Sequence, residues 1–401
     1  MKLPKFRKRE VRIGTAIMLC VMTAVTSVNI SYILFQRVLE EKLPGYQANN
    51  EVYGKLGQIR SLFEELYVGT YDEQTAIDTA AAGYVAGVGD RWSGYYSAEE
   101  YEAYVESFGG ESSGIGAYVS YTPENGIRII EVYEGSDCER VGLTHGDRIL
   151  SADDATLAED GYNAVMNAIA GEEGTSVKVG IERAATGERE VVELTRKTVE
   201  QKMVTGKMLE DHVGFIRIYN FHQGSEKQFE KLMEELLDAG AEAFVFDVRN
   251  DPGGAVDSVN EMLDYLLPEG DLMGLSTKAG KEQQYTSDKK CVDLPMAVLV
   301  DAESISAAEF FAACLQEYEW ATVVGEQTIG KGYSQRMYSL VDGSAVRISD
   351  KMYYLPSGRS LIGTGVLPDV EVGLPDEKEP DFYFLSPAED DQLSAALAAL
   401  P

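Results

Sequence analysis

The spacing of apolar residues changes character several times along this chain, and each change predicts a different kind of element. Residues 13–35 (IGTAIMLCVMTAVTSVNISYILF) form a charge-free apolar run, long enough as a helix to cross a hydrocarbon core of ~30 Å. From about 52 to 105 the pattern is helical, with Ile59, Leu62, Phe63 and Leu66 on the single stripe that i, i+3, i+4, i+7 spacing produces. Glycines at 87, 89, 94, 109 and 110 then punctuate the chain. From Gly114 the rhythm shortens to strands at 115–121, 127–133, 148–152, 177–183 and 190–195, interrupted by a helix at 160–170. Short strands at that density predict a compact β-rich module.

After Arg196 the period changes again. Buried strands at 213–219 and 243–248 flank a helix at 226–239, and the apolar strand 296–300 runs at once into a helix at 306–318. Alternation of this kind predicts an α/β layer with parallel pairing. Hairpin strands follow at 338–340, 345–348 and 351–355, and Ser386-Pro387-Ala388-Glu389 reads as a helix start running to Leu400.

Charge adds direction to this outline. The formal charge is -32, and Lys2, Lys5, Arg7, Lys8, Arg9 and Arg12 against Glu10 leave the first twelve residues at +5. The body is therefore strongly acidic and repels nucleic acid, which is not expected as a partner. Basic sequence before the apolar run and acidic sequence after it predict a cytoplasmic tail at 1–12, a single membrane anchor at 13–35 and an extracytoplasmic body. A cleaved signal peptide is the rival, but no A-x-A site follows the run. Cys20, Cys138, Cys291 and Cys314 are scattered without CxxC spacing, which predicts buried small hydrophobes rather than a disulfide framework or zinc site.

The three histidines, His145, His212 and His222, lie near neither G-x-S-x-G nor H-E-x-x-H, so neither a Ser-His-Asp hydrolase nor a zinc protease is signalled. Candidate chemistry gathers at 298–335 instead. Ser306 falls in the first turn of its helix, where free N–H groups and the dipole favour developing negative charge. It fits two readings: a nucleophile, or the cap of the box Ser306-Ala307-Ala308-Glu309. Lys331, between Gly330 and Gly332, is a solvated loop lysine or, if burial lowers its pKa, a general base. Gln335 reaches Lys331 only if the segment bends, which Gly332 permits. The Asn250-Asp251-Pro252-Gly253-Gly254 stretch is a tight turn, or a turn whose glycine amide also serves an oxyanion.

Together these pieces resemble the C-terminal processing peptidases, also called tail-specific proteases, from about 52 to 400. Gly89-Asp90-Arg91-Trp92-Ser93-Gly94-Tyr95-Tyr96 is similar to that family's D-P-x-S-x-Y/F stretch, and 135–149 to the G-D-x-I signature of its PDZ domain. The resemblance implies an α+β and α/β multidomain chain: a helical region at 36–106, a PDZ domain at 107–197, a catalytic core with a ClpP/crotonase-like layered sheet at 198–375 and a helical tail at 376–401. It further implies Ser306 as nucleophile, Lys331 as base, Gln335 as its orienter and the amides of Gly253 and Ala307 as oxyanion donors. Gly114, Ile115, Gly116 and Ala117 would receive a substrate's terminal carboxylate, with the 160–170 helix walling the groove.

The expected function is a membrane-tethered serine endopeptidase that cleaves unfolded or C-terminal segments of extracytoplasmic proteins by a Ser/Lys dyad, with no cofactor and no metal. A homodimer is a further expectation from the apolar faces of the N- and C-terminal helices. Glu303, where the family has glycine, sets a carboxylate near the nucleophile and is expected to favour charged lysine. The alternative is a catalytically inactive, membrane-tethered PDZ adaptor that binds protein C-termini.

Overall fold

The computed structural model describes residues 13–42, 50–108 and 111–400; the expected basic tail at 1–12 lies outside them. The chain forms two units, 1–76 and 77–401. The first holds the helices Ile13–Lys42 and Asn50–Leu66. The predicted stripe is helical, but Ile59, Leu62, Phe63 and Leu66 are all exposed. The expected anchor falls within the helix Ile13–Lys42, yet among the described residues no helix is long and apolar enough to cross a membrane.

In the second unit, Ala117–Thr122, Gly126–Val132, Arg148–Ala152, Ser176–Glu182 and Arg189–Thr195 form an antiparallel sheet in that order. The helix Gly161–Ile169 closes a core of Ile127, Ile129, Ile149, Val165, Val179 and Leu194, from which water is excluded. Each of these strands falls within two residues of the range read from the sequence. The short strands Glu111–Gly114 and Lys197–Glu200 pair antiparallel where the chain enters and leaves the module.

The remainder is built on a six-stranded sheet. Val204–Met208 is antiparallel to Val213–Ile218; Ala243–Asp247, Met296–Val300, Thr322–Gly325 and Val370–Glu371 follow in parallel. Phe244 and Phe246 face a core shared with the helices Ser225–Asp238, Val256–Leu266 and Ala307–Glu317. Val245 faces a second core closed by Leu393 and Ala396. Burial on both faces explains why these strands read as unbroken apolar runs.

A second sheet joins Gly94–Tyr96, Ala345–Tyr354, the hairpin Gly270–Thr277/Gly280–Ser287 and Tyr333–Ser339. Three expectations are corrected here. The strands read at 345–348 and 351–355 are one strand, Ala345–Tyr354. The strand read at 338–340 begins earlier, at Tyr333. The last helix starts at Asp391, not near Ser386, because the Asp390 carboxylate caps the Leu393 N–H. Asp390 is held there by fully buried Arg249, whose guanidinium also grips Asp247. The cysteine expectation holds for Cys138 and Cys314, which are buried, but Cys20 and Cys291 are exposed.

The module meets the core through the 3-10 turn Glu379–Phe384. Arg128 of the module pairs with Asp381 at 2.7 Å, donates to the Pro380 carbonyl at 2.7 Å and lies 3.7 Å over the Phe384 ring. Tyr118 packs on Tyr219 of the core at 4.9 Å between centroids.

Candidate active site

Adjacent parallel strands Ala243–Asp247 and Met296–Val300 deliver two loops to the same sheet end, where α/β folds place their sites. The loops are laced together. Ile305 N–H donates to Asp251 O at 2.9 Å. The Ser304 hydroxyl donates to Val248 O at 2.7 Å and accepts from Asp301 N–H. Asn250 N–H and its side-chain amide both donate to the Asp301 carboxylate. Ser304 is therefore a buried brace, and Ser306 is the serine left facing the cavity.

Ser306 precedes the helix Ala307–Glu317 with φ 62 and ψ -109. An ordinary N-cap sits in the extended region; Ser306 does not, although the capping-box reading holds in that the Glu309 carboxylate accepts the Ser306 N–H. A non-glycine residue held at such angles costs about 1–3 kcal/mol, and such strain concentrates at functional sites. Gly253, at φ 91, explains the crowding: a Cβ there would come within 2.9 Å of both Ser306 Cβ and Ala307 N. Only glycine fits so close an approach. The Gly253 N–H, expected to serve an oxyanion, donates in this structure to Asp251 Oδ1 at 2.7 Å. Asp251 is fully buried, and burial pushes its carboxyl well above the usual range. The Ala307 N–H occupies the first helical position, which has no acceptor within a helix.

Glu309 ties the serine to the lysine. Its carboxylate, fully buried, accepts from Ser306 N–H at 2.9 Å, Lys331 N–H at 2.9 Å, Gly330 N–H at 2.7 Å and the Thr328 hydroxyl at 2.5 Å. The Tyr353 hydroxyl donates to the Lys331 carbonyl. A Cβ on Gly332 would lie 2.5 Å from the Ile362 side chain, so the lysine loop is packed rather than solvated. The Lys331 amine is pushed down to about 8, first by burial and then by nearby Arg347, with Glu309 and Asp90 opposing. Its Nζ lies 4.7 Å from the Trp92 ring centroid. Among the described residues it makes no hydrogen bond or ion pair, including none to Ser306.

Ser306, Ala307, Gly253, Lys331 and Gln335 all line one cavity of about 350 Å³. His222, expected as structural, lines it too, with burial lowering its pKa. Two expectations fail in detail. Gln335 does not orient Lys331: its amide donates to Tyr333 O at 2.8 Å and to the Ser349 hydroxyl at 3.3 Å. The bend falls at a bulge between Ser334 and Gln335, beyond Gly332. Glu303 is exposed, and the carboxylates that act on Lys331 are Glu309 and Asp90. In the β-rich module, Gly116 takes φ 80 beside Ser136, and Tyr121 stacks on Tyr162 at 4.7 Å across the expected groove.

Sequence reasoning missed Glu309, Trp92, Arg347 and Tyr353 as members of the site. For Glu309 a signal existed, since it is the single charge within the apolar stretch Ala307–Leu315. Arg347 and Tyr353 reach the cavity by tertiary packing and left no local trace, whereas Trp92 lies within the 89–96 stretch already singled out and meets the Lys331 amine.

Residues 212–372 match the model of peptidase family S41. The chain is 27% identical over 327 residues to the carboxy-terminal processing protease CtpA of Bacillus subtilis strain 168, covering 80% of this chain and 70% of that one. It is 29% identical over 345 residues to the carboxy-terminal-processing protease of Bartonella bacilliformis, covering 82% and 77%. The crystal structure of a putative S41 protease from Bacteroides fragilis shares the fold, with a TM-score of 0.51 at 19% identity over 72% of this chain and 82% of that one. A mixed α/β multidomain fold with these similarities defines a serine-type peptidase. Residues 212–372 thus carry a peptidase family S41 domain, in a chain similar to relatives named carboxy-terminal processing proteases.

Proposed function

We propose that the protein is a serine endopeptidase of the C-terminal processing type, with Ser306 as nucleophile and Lys331 as its base. The observation that carries this reading is a lysine amine, half-buried and free of any carboxylate pair among the described residues, lining the same cavity as a strained serine at a helix N-terminus. Neutral Lys331 takes the Ser306 proton as Oγ bonds to the scissile carbonyl carbon. The ammonium so formed returns the proton to the leaving amine as the C–N bond breaks, and water then cleaves the acyl-enzyme with Lys331 again as base. Ala307 N–H supports the oxyanion, joined by Gly253 N–H once Asp251 releases it. Gln335 lines the same cavity, and would steady the amine only after its amide turns away from Tyr333 O and the Ser349 hydroxyl.

The relatives' names support action on protein C-termini. The antiparallel module around 107–197 supports a PDZ reading, in which Gly114 to Ala117 receive a substrate carboxylate through backbone amides. Attachment to a membrane at 13–35, with the body outside, rests on the charge-free run and its basic flank. The full chain, Ser306→Ala and Lys331→Ala should be compared on an unfolded substrate with a free apolar C-terminus. Equal cleavage by all three rejects the dyad; binding without turnover by the wild type supports the adaptor instead.

A further inference from the structure

Trp92 enters the site from the 90–96 segment, far in sequence from the loops that carry the serine and lysine. The strand Gly94–Tyr96 pairs with Ala345–Tyr354, placing Gly94 opposite Arg347. Arg347 Nε donates to the Trp92 carbonyl at 3.0 Å, and Ser349 N–H donates to Ser93 Oγ at 3.2 Å. The Asp90 carboxylate accepts from Trp92 N–H at 3.0 Å and from the Ser93 hydroxyl at 2.6 Å. A segment fastened this way holds its indole in a fixed place, with Lys331 Nζ 4.7 Å from the ring centroid.

We propose that Trp92 is a positioning residue for Lys331: its indole shields the amine from water and gives it a resting place in the cavity that Ser306 lines. The 90–96 segment thereby belongs to the active site. This rests on reading Lys331 as the base.

The groups facing the amine come from several elements. Arg347 on Ala345–Tyr354 disfavours its charge, while Glu309 on the nucleophile helix and Asp90 on the segment itself favour it. Tyr104, His222 and Tyr353 line the same cavity. Arg91 also lies over the Trp92 ring, at 4.4 Å. Burial outweighs each of these charges and keeps the amine neutral more readily. The indole face attracts an ammonium by only about 0.5–1 kcal/mol at such sites, so removing the ring acts mainly by admitting water. Lys331 then moves back toward its ordinary, higher value.

Two measurements on the full chain test this. The chain has two tryptophans, so Trp320→Phe leaves Trp92 as the sole indole reporter. Its emission is expected to step with a midpoint near 8, where Lys331 titrates, and the step should vanish when Lys331→Met is added. In pH–rate profiles, Trp92→Ala should move the acid limb up by about one unit. That lowers the rate at pH 7 about tenfold and restores it at high pH, with Trp92→Phe in between. No emission step, or a loss for both Trp92 variants that is equal at every pH, overturns the proposal. If Ser306→Ala still cleaves, the protease reading fails, but the emission step would still report the contact.

Discussion

Glu309 Oε2 accepts the backbone N–H of Lys331 at 2.9 Å, and the same oxygen accepts the N–H of Ser306 at 2.9 Å. One buried atom therefore sets the spacing between the two reacting segments. Glu309→Ala would strand three N–H groups and a hydroxyl in the interior. Each stranded donor costs about 1–3 kcal/mol, so a stability loss of about 3 kcal/mol or more is expected by urea titration. A loss below about 1 kcal/mol would show that these donors find other partners.

The depressed Lys331 value sets a pH dependence with a definite sign. Activity should rise with pH through about 8 as the amine becomes neutral, leaving about a tenth of the full rate at pH 7. Stability follows from the same shift. The folded value lies below the unfolded one, so between about 8 and 10.5 the unfolded chain binds more protons, and stability rises with pH across that window. Lys331→Met should therefore be more stable than wild type at pH 7 by about 2–3 kcal/mol, and the gap should close above the window. Thermal melts at pH 7 and 11 check it.

Gly253→Ala tests the close approach behind the nucleophile. The new methyl would press on Ser306 and Ala307 at about the distances already given, in a backbone region that side chains avoid. A fall in kcat/KM of at least about 100-fold is expected, comparable to losing an oxyanion donor. The circular dichroism spectrum should stay native. An active Gly253→Ala enzyme would remove this turn from the chemistry.

Asp381→Ala should loosen the seam between the β-rich module and the core. Arg128 is nearly buried and would keep only the Pro380 carbonyl and the Phe384 ring. Asp381 itself is half-exposed, so the global cost should be about 1 kcal/mol or less. Amide exchange within 379–384 should nonetheless quicken. Unchanged exchange would mean that the aromatic contacts alone hold the seam.

Elements buried on a regular face were legible in the sequence, because burial writes its period into the residue pattern. Met296–Val300 and Arg148–Ala152 were read to the residue. The hairpin Gly270–Thr277/Gly280–Ser287 was not, since Lys278, Lys281 and Glu282 break its alternation. The start of the last helix was misread for a different reason. A Ser-Pro-Ala-Glu signature is local, whereas the actual cap, Asp390, is fixed by Arg249 from a distant strand end. The site shows the same division. Ser306, Lys331 and Gly253 announce themselves by residue type and neighbours, but the direction of the Gln335 amide and the indole over Lys331 are products of packing.

The paired strands Glu111–Gly114 and Lys197–Glu200 bring Gly114 opposite Lys197. Antiparallel neighbours sit about 5 Å apart, so everything between them is topologically a bubble on an otherwise continuous chain. Evolution or an engineer can swap or delete such a cassette without re-routing the rest of the polypeptide. The β-rich module is, in that sense, an interchangeable attachment.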